Sequence, residues 1–215
     1  MATKDHQSEP IESASETLQR IFDGHGSVLG SQMADESSRY DVLKKTDFPK
    51  PQRTRRIAVA NQKGGVGKTT STVNTAAALA NKGAQVLVID MDPQGNASTA
   101  LGVSHASGEP SVYDVIEGRS DLGDVITVCP DFPTLDVVPA SIDLSGAELE
   151  VADLPNRNTL LKEALDLYLR QSDKHYDYVF IDCPPSLGLL VINAMCAVTE
   201  MLIPIQAEYY ALEGL

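Results

Sequence analysis

The sequence contains few of the residues from which disulfide frameworks and metal centres are built. Its three cysteines, Cys129, Cys183 and Cys196, are an odd number without C-x-x-C spacing, which suits a reducing cytoplasm. Its four histidines, at positions 6, 25, 105 and 175, lack the spacing of metal ligands, so we expect no transition-metal site. No histidine lies near Cys183 in sequence, and this cysteine is therefore expected to pack in the interior rather than to act as a nucleophile.

Long apolar runs are also missing. The longest, from Leu187 to Val198, is too short for a membrane span and is interrupted by Asn193. The first twenty residues carry charges throughout and lack the apolar segment of a signal peptide. We therefore expect a soluble protein that does not associate with a membrane.

Basic residues are scarce in most of the chain. The net charge is −13, from 17 Lys and Arg against 30 Asp and Glu. Residues 1–56 contain nine basic and nine acidic residues, so residues 57–215 contain the other eight basic and 21 acidic residues and carry the whole net charge. Such an acidic body argues against a broad nucleic-acid-binding surface on residues 57–215.

At 215 residues, the chain is long enough for one domain and an extension. Residues 1–56 are expected to form a disordered N-terminal extension, because Met1–Pro51 is rich in Ser, Glu, Asp and Gly and has little periodicity. Within it, Glu12–Phe22 is a candidate short helix. Phe48–Arg56 contains four basic residues and is either a solvated linker or an arm that contacts DNA or a partner.

The second part of the chain begins with a glycine-rich loop between a predicted strand and a predicted helix. The apolar run Ile57–Ala60 predicts the strand, Ser71–Lys82 predicts the helix, and Gly83 stands where a C-terminal cap belongs. Strand, glycine-rich loop and helix in this order indicate a phosphate-binding loop, because backbone N–H groups and the helix N-terminus attract polyphosphate. The candidate nucleotide-binding residues are Lys63, Gly64, Gly65, Val66, Gly67, Lys68, Thr69 and Thr70.

Two of these side chains have specific roles in such a loop. Lys68 is expected to reach the β- and γ-phosphates, and the Thr69 hydroxyl is expected to bind magnesium. The loop differs from the usual G-x-x-x-x-G-K-[ST] pattern, because Gln62 occupies the position of the first glycine and a second lysine, Lys63, precedes the glycines.

From Ile57 onward, apolar runs alternate with helical patterns, which predicts an α/β fold with a mostly parallel sheet and helices on both faces. Besides the first strand, we predict strands at Val86–Asp90, Leu135–Val138, Tyr178–Asp182 and Met201–Ile205. Pro204 is expected to mark a strand end, because proline removes a ladder donor. Further helices are predicted at Ser111–Glu117, Ile142–Val151, Asn156–Arg170 and Leu187–Ala197.

Three carboxylates follow the predicted strands and should meet the glycine-rich loop. Ligands of open parallel sheets bind at the carboxyl ends of the strands, where Asp90, Asp92 and Asp182 all lie. We expect Asp92 to position the attacking water, and Asp90 and Asp182 to support magnesium through its water shell. Two alternatives stay open: Asp92 only caps the turn before Pro93, or Asp182 is an ordinary strand-end carboxylate.

Four motifs resemble those of one ATPase family. Lys63-Gly-Gly-Val-Gly-Lys-Thr69 is similar to the deviant Walker A motif of the ParA/MinD class, and Asp90-Met-Asp-Pro-Gln-Gly-Asn96 resembles ParA partition ATPases more than MinD. Tyr178–Ser186 is similar to the Walker B segment of the family, and Pro204–Leu215 also resembles ParA. The resemblance covers Ile57–Leu215 closely. Residues 30–56 are more loosely similar to actinobacterial members.

The resemblance implies a chromosome or plasmid partition ATPase with ATP and Mg²⁺ as cofactors. ATP-bound subunits would form a homodimer in which Lys63 crosses to the partner's phosphates, so that Lys63, Lys68 and Asp92 all serve catalysis. The family also implies non-specific DNA binding by the full-length form, a ParB-like centromere-binding partner, and a cytoplasmic, nucleoid-associated location. Because ParA domains continue beyond the position of Leu215, we expect the chain to be incomplete at its C-terminus.

Other functions remain open. A MinD-like membrane-cycling ATPase would need a C-terminal amphipathic helix, and none follows the motifs in this chain. A non-catalytic, nucleotide-dependent interaction module would bind ATP weakly and hydrolyse none. A nitrogenase-reductase-like protein shares the loop, but Cys129 and Cys183 do not lie in recognisable cluster-ligating contexts.

Overall fold

A computed structural model describes residues 28–206, which belong to two compact units divided after Pro49. In the first unit, helix α1 spans Val28–Lys45. This differs from the expectation of little regular structure before Pro51. Its apolar residues follow no amphipathic period, so the pattern gave no helical signal, whereas Lys44 and Lys45 in the last turn favour a helix C-terminus. The candidate helix Glu12–Phe22 lies outside the described residues.

The second unit alternates strands and helices as the sequence predicts. Its strands are β1 (Arg55–Val59), β2 (Val86–Asp90), β3 (Thr127–Val128), β4 (Leu135–Val138), β5 (Tyr178–Asp182) and β6 (Glu200–Leu202). Its helices are α2 (Lys68–Asn81), α3 (Asn96–Ala100), α4 (Val112–Ile116), α5 (Leu144–Glu150), α6 (Leu160–Gln171) and α7 (Leu189–Ala197), with a 3₁₀ turn over Leu122–Val125.

The six strands form one sheet in the order β3-β4-β2-β5-β1-β6. All neighbours are parallel except β3, which runs antiparallel to β4. The register pairs Val59 with Asp182 and Asp90 with Asp182, so the ends of the three central strands lie side by side. The predicted parallel α/β fold is therefore confirmed.

Side chains alternate between two cores, one on each face of the sheet. Along β2, Leu87 and Ile89 join the core formed with α4, α5, α6 and α7, whereas Val86 and Val88 join the core formed with α2. Because helices cover both faces, all five residues of β2 are buried. The covered sheet fixes the strand ends, and these ends position the candidate site.

Candidate functional site

The glycine-rich loop has the backbone conformation that its glycines permit. Gly65 and Gly67 have φ values of 75° and 91°, in the left-handed region that disfavours other residues. Gly67 caps the N-terminus of α2, and Lys68 is the first residue of that helix. The Lys68 side chain is buried, and its Nζ donates to the carbonyl oxygen of Lys63 at 3.3 Å. The ammonium group therefore lies inside the loop.

Gly64 has a different reason to be small. It has no positive φ, and a Cβ built on it would meet no heavy atom within 4 Å. Gly64 lines an open cleft, and in phosphate-binding loops generally a glycine lets the ligand approach the backbone.

Asp182 ends β5 directly behind the loop, where two hydroxyl groups of α2 donate to it. Thr69 Oγ1 lies 2.7 Å from Asp182 Oδ2, and Thr72 Oγ1 lies 2.8 Å from Asp182 Oδ1. Burial, together with the neighbouring charges of Asp90 and Asp92, raises the pKa of Asp182 to about 6 against the opposing effect of the two hydroxyl hydrogen bonds. The structure thus brings Thr69 and Asp182 into contact, as the strand-end argument predicts.

Asp90 lies fully buried at the end of β2. Its Oδ2 accepts from the backbone N–H and the hydroxyl of Ser98, at 2.8 and 2.7 Å, and its Oδ1 accepts from the Asp92 N–H at 3.2 Å. Burial raises the pKa of Asp90, while the Ser98 hydrogen bonds oppose the rise. Through these contacts Asp90 holds the segment that follows β2. Its role in a magnesium shell stays a prediction.

Asp92 lies on the loop after β2 and is mostly buried. Its Oδ1 accepts from the Gln94 N–H at 3.0 Å, so the turn-capping contact considered from sequence is present. The same residue lines an open cleft of about 400 Å³. The other residues that line this cleft are Gly64, Gly65, Gly67, Lys68, Thr69, Thr70, Gln94, Asn96 and Pro185. The two roles of Asp92 are therefore compatible, and both use the same loop.

Two side-chain contacts tie the glycine-rich loop to the segment after β6. Asn61 Nδ2 donates to the Pro204 carbonyl at 2.9 Å, and Gln206 Nε2 donates to the Gly65 carbonyl at 3.0 Å. Asn61 Oδ1 also accepts from the Lys63 N–H at 2.9 Å. Lys63 therefore occupies a fixed backbone position beside the cleft.

Sequence reasoning missed four residues of this arrangement: Thr72, Ser98, Asn61 and Gln206. Thr72 follows Thr69 by three positions and shares its helical face, a signal that the sequence offers. The other three act through contacts between distant segments, which local patterns do not reveal. Cys183 is buried, and burial raises the pKa of its thiol to about 12, in keeping with the expected packing role.

Comparison with known proteins gives the family. A family model described as an AAA domain matches residues 54–215. The sporulation initiation inhibitor protein Soj of Bacillus subtilis is 51% identical over 159 residues, which are 74% of this chain and 61% of that protein. The chromosome partitioning protein ParA of Caulobacter vibrioides is 47% identical over 74% of this chain and 58% of its own length. The chain belongs to the Soj/ParA family of AAA-domain proteins.

A solved structure shares the fold of this ParA-family chain. The crystal structure of cobyrinic acid a,c-diamide synthase from Mycobacterium smegmatis, with bound ADP and magnesium, matches it with a TM-score of 0.68 and 39% identity. The match covers 75% of this chain and 64% of that one. The chain thus spans about 60% of the length of the curated relatives named above, at 61% and 58%. Among the described residues, every helix is too short or too polar to cross a membrane.

Proposed function

We propose that the chain binds ATP with magnesium and hydrolyses it, as the nucleotide-binding part of a ParA-type partition ATPase. One observation carries the proposal. Lys68 lies within a loop of left-handed glycines, next to a threonine whose hydroxyl reaches the strand-end carboxylate of Asp182. Hydrolysis of a phosphoanhydride needs charge neutralisation, a positioned water and a preorganised site, and this cleft offers groups for each.

Lys68 and the loop backbone would bind the phosphates. Nζ of Lys68 now lies 3.3 Å from the Lys63 carbonyl, and a phosphate oxygen is a stronger acceptor for an ammonium group than a carbonyl oxygen. The N-terminus of α2 adds the partial positive charge of a 14-residue helix. Both attractions grow as negative charge builds up on the β-phosphate of the leaving diphosphate, so they favour the transition state.

The side chains around Asp182 fit magnesium. Thr69 and Asp182 would hold it, and both offer the hard oxygen ligands that magnesium prefers. In the described part of the chain, no Lys or Arg nitrogen forms an ion pair with Asp90, Asp92 or Asp182, and burial raises the pKa of Asp90 and Asp182. A divalent cation would relieve this concentration of negative charge. When bound, magnesium neutralises charge on the β- and γ-phosphate oxygens.

Asp92 would orient the attacking water. Its Oδ1 accepts from the Gln94 N–H, which fixes the carboxylate in the cleft that Lys68 and Thr69 also line. The carboxylate can then accept a hydrogen bond from a water in line with the leaving group. Asp90, two residues earlier, keeps this loop in place through Ser98 and Asp92 itself.

The proposed assembly and partners are supported by the likeness to Soj and ParA proteins. Lys63 stands beside the cleft on an exposed loop, where a second ATP-bound subunit could meet it, so we propose an ATP-dependent homodimer in which Lys63 acts across the interface. Non-specific DNA binding and stimulation by a ParB-like partner are proposed for the full-length protein. Residues 57–215 carry the whole net charge of −13 and are themselves poorly suited to DNA.

The test is steady-state ATP hydrolysis with magnesium, with light scattering of the same samples. We expect ATP to be hydrolysed and ATP-bound protein to reach the mass of a dimer. Lys63→Ala should lower kcat on the order of 10-fold or more while ATP binding changes little, because Lys63 is proposed to act across the dimer. Lys162→Ala, at an exposed ion pair of α6, is the control. ATP binding without turnover would instead indicate a non-catalytic nucleotide-dependent module.

A further inference from the structure

The turn that follows Asp92 depends on a glycine for two separate reasons. Gly95 has a φ of 63°, in the left-handed region, and caps the N-terminus of α3. A Cβ on Gly95 would also lie 2.5 Å from Cε1 and Nδ1 of His105, so the imidazole ring lies directly against the glycine. The Gly95 N–H donates to the Asp92 carbonyl at 2.9 Å. The ring therefore contacts the turn that carries Asp92.

A hydrogen bond fixes the ring on α3. Nε2 of His105 lies 2.8 Å from Oγ1 of Thr99, and the Thr99 N–H donates to the Gly95 carbonyl at 2.9 Å. His105 thus contacts both ends of the same helical turn, with its ring packed against Gly95 and its Nε2 hydrogen-bonded to Thr99.

The segment that carries His105 is held by hydrogen bonds to Glu109. Glu109 Oε2 accepts from the Ser104 hydroxyl at 2.6 Å and from the Ala106 N–H at 3.1 Å, on either side of His105. Val103, two residues earlier, is buried in the core beside α2. The ring is therefore presented from a fixed backbone and not from a freely moving loop.

The opposite side of the turn is held from the interior. Asp90 accepts two hydrogen bonds from Ser98, and the Ser98 hydroxyl accepts from the Ala140 N–H at 3.1 Å. Asp90 and Ser98 are both fully buried, whereas His105 is only half-buried. The turn therefore lies between the buried Asp90–Ser98 hydrogen bonds and the half-buried imidazole ring of His105.

We infer that His105 is a positioning residue for hydrolysis, one that keeps the Gly95 turn, and with it the Asp92 carboxylate, in place. The inference rests on the proposed ATPase function. Asp92 is bonded to this turn through the Gly95 and Gln94 N–H groups, so a displacement of Gly95 moves the carboxylate. The Lys68 loop belongs to another segment, and in the described residues neither Gly95 nor His105 is hydrogen-bonded to it.

The first test separates turnover from ATP affinity. His105→Ala is expected to lower kcat about 3- to 10-fold and leave the KM for ATP within about twofold, because small displacements of a positioning group cost rate and not phosphate binding. Thr99→Val, which removes the hydroxyl but keeps the shape, should lower kcat in the same direction, and Thr99→Ser should restore most of the loss. His175→Ala, at the exposed histidine before β5, is the matched control.

A second measurement does not require ATP hydrolysis. Amide hydrogen exchange of residues 92–101 in the protein without nucleotide should be faster in His105→Ala than in the wild type, and unchanged in residues 68–81. If the wild-type protein hydrolyses no ATP, the proposed function fails, and exchange alone still decides on His105. Unchanged exchange at residues 92–101, or a wild-type kcat in His105→Ala, would overturn the inference.

Discussion

The two ends of the parallel strands differ in how their buried carboxylates are neutralised. Near the amino ends, carboxylates are paired with cations: Asp136 with Lys174, and Asp177 with Lys50 at 3.3 Å. At the carboxyl ends, Asp90, Asp92 and Asp182 accept hydrogen bonds from hydroxyl and amide groups, and in the described residues none has an ion-pair partner. The two ion pairs near the amino ends neutralise their carboxylates within the protein. At the carboxyl ends, the magnesium ion proposed above would supply the cation.

This difference between the two ends arises within a single sheet. The same parallel strands and alternating cores position both ends, so the contrast lies in the residues at the ends and not in the fold. Burial, and to a smaller extent repulsion from Asp90 and Asp92, raises the pKa of Asp182, which disfavours the charged form in the folded protein. Such local destabilisation is common where ligands bind.

The largest effect is expected at the carboxyl end. Lys68→Ala should lower kcat for ATP hydrolysis on the order of 100-fold or more, because it removes the cation at the phosphates. Its unfolding free energy should change little, since the Lys68 ammonium only contacts a loop carbonyl. Lys162→Ala, at an exposed ion pair of α6, should keep the wild-type kcat and lose less than about 1 kcal/mol of stability. Kinetics and urea unfolding of the three proteins check this. A Lys68→Ala variant with wild-type kcat would show that ATP is not hydrolysed in this cleft.

The reverse pattern is expected near the amino ends. Lys174→Met should lower the unfolding free energy by about 1–3 kcal/mol, because it leaves the buried Asp136 without its cation. Among residues 28–206, the Oδ1 atom of Asp136 already has no hydrogen-bond partner, and Tyr176 alone would remain on Oδ2. The kcat of the folded variant should stay near the wild-type value. Urea unfolding measures the loss, and equal stability of wild type and Lys174→Met would break the contrast between the two ends.

Asp182 should affect both the stability of the protein, in a pH-dependent way, and its ATP hydrolysis. Its pKa is about 6 in the folded protein and near 4 when unfolded, so the folded protein binds the proton more tightly. The resulting cost to stability is fully present above pH 6 and disappears as the pH falls to about 4. At pH 7.5 and without nucleotide, the unfolding free energy of Asp182→Asn should therefore be roughly 1–2 kcal/mol higher than that of the wild type. The variant should also hydrolyse far less ATP.

The pH series supplies the control for this prediction. The stability difference between Asp182→Asn and the wild type should shrink steadily between pH 6 and pH 4.5, where urea unfolding of both proteins can be compared. A difference that stays constant over this range would mean that Asp182 titrates as an ordinary surface carboxylate.

The smallest effect is expected at the start of β1, where the basic linker ends. Arg55 pairs with Glu200 and stacks over Tyr178, and Arg56 pairs with Asp166. Because the Arg55 pair is half-exposed, Arg55→Ala should lower stability by less than about 1 kcal/mol and leave ATP hydrolysis unchanged. These pairs favour a structural role for the linker over a DNA-contacting arm. A loss of DNA binding by full-length Arg55→Ala, measured at fixed salt, would reverse that preference.

The buried strands were predictable and the short elements were not. The predicted bounds of β2, β4 and β5 match the structure, because strands buried on both faces are continuous apolar runs. By contrast, β3 is two residues long and exists only through its pairing with β4, and α3 is held by Ser98 and His105. The predicted strand Met201–Ile205 is instead Glu200–Leu202 and ends before Pro204.

The site was predictable to the extent that strand ends define it. The meeting of Thr69 and Asp182 follows from the strand-end rule and the helix start. The contacts of Asn61 with Pro204 and of Gln206 with Gly65 join segments more than 100 residues apart, so no local pattern reveals them.

The most direct test of the central claim is the thermal stability of the protein with ATP, in the presence and absence of magnesium. If the carboxyl end holds negative charge for a cation, saturating ATP with magnesium should raise the Tm by roughly 5–10 °C. ATP with a chelator should raise it by much less, and Lys68→Ala should show almost no rise with either. Equal rises with and without magnesium, or no rise in the wild type, would contradict the account.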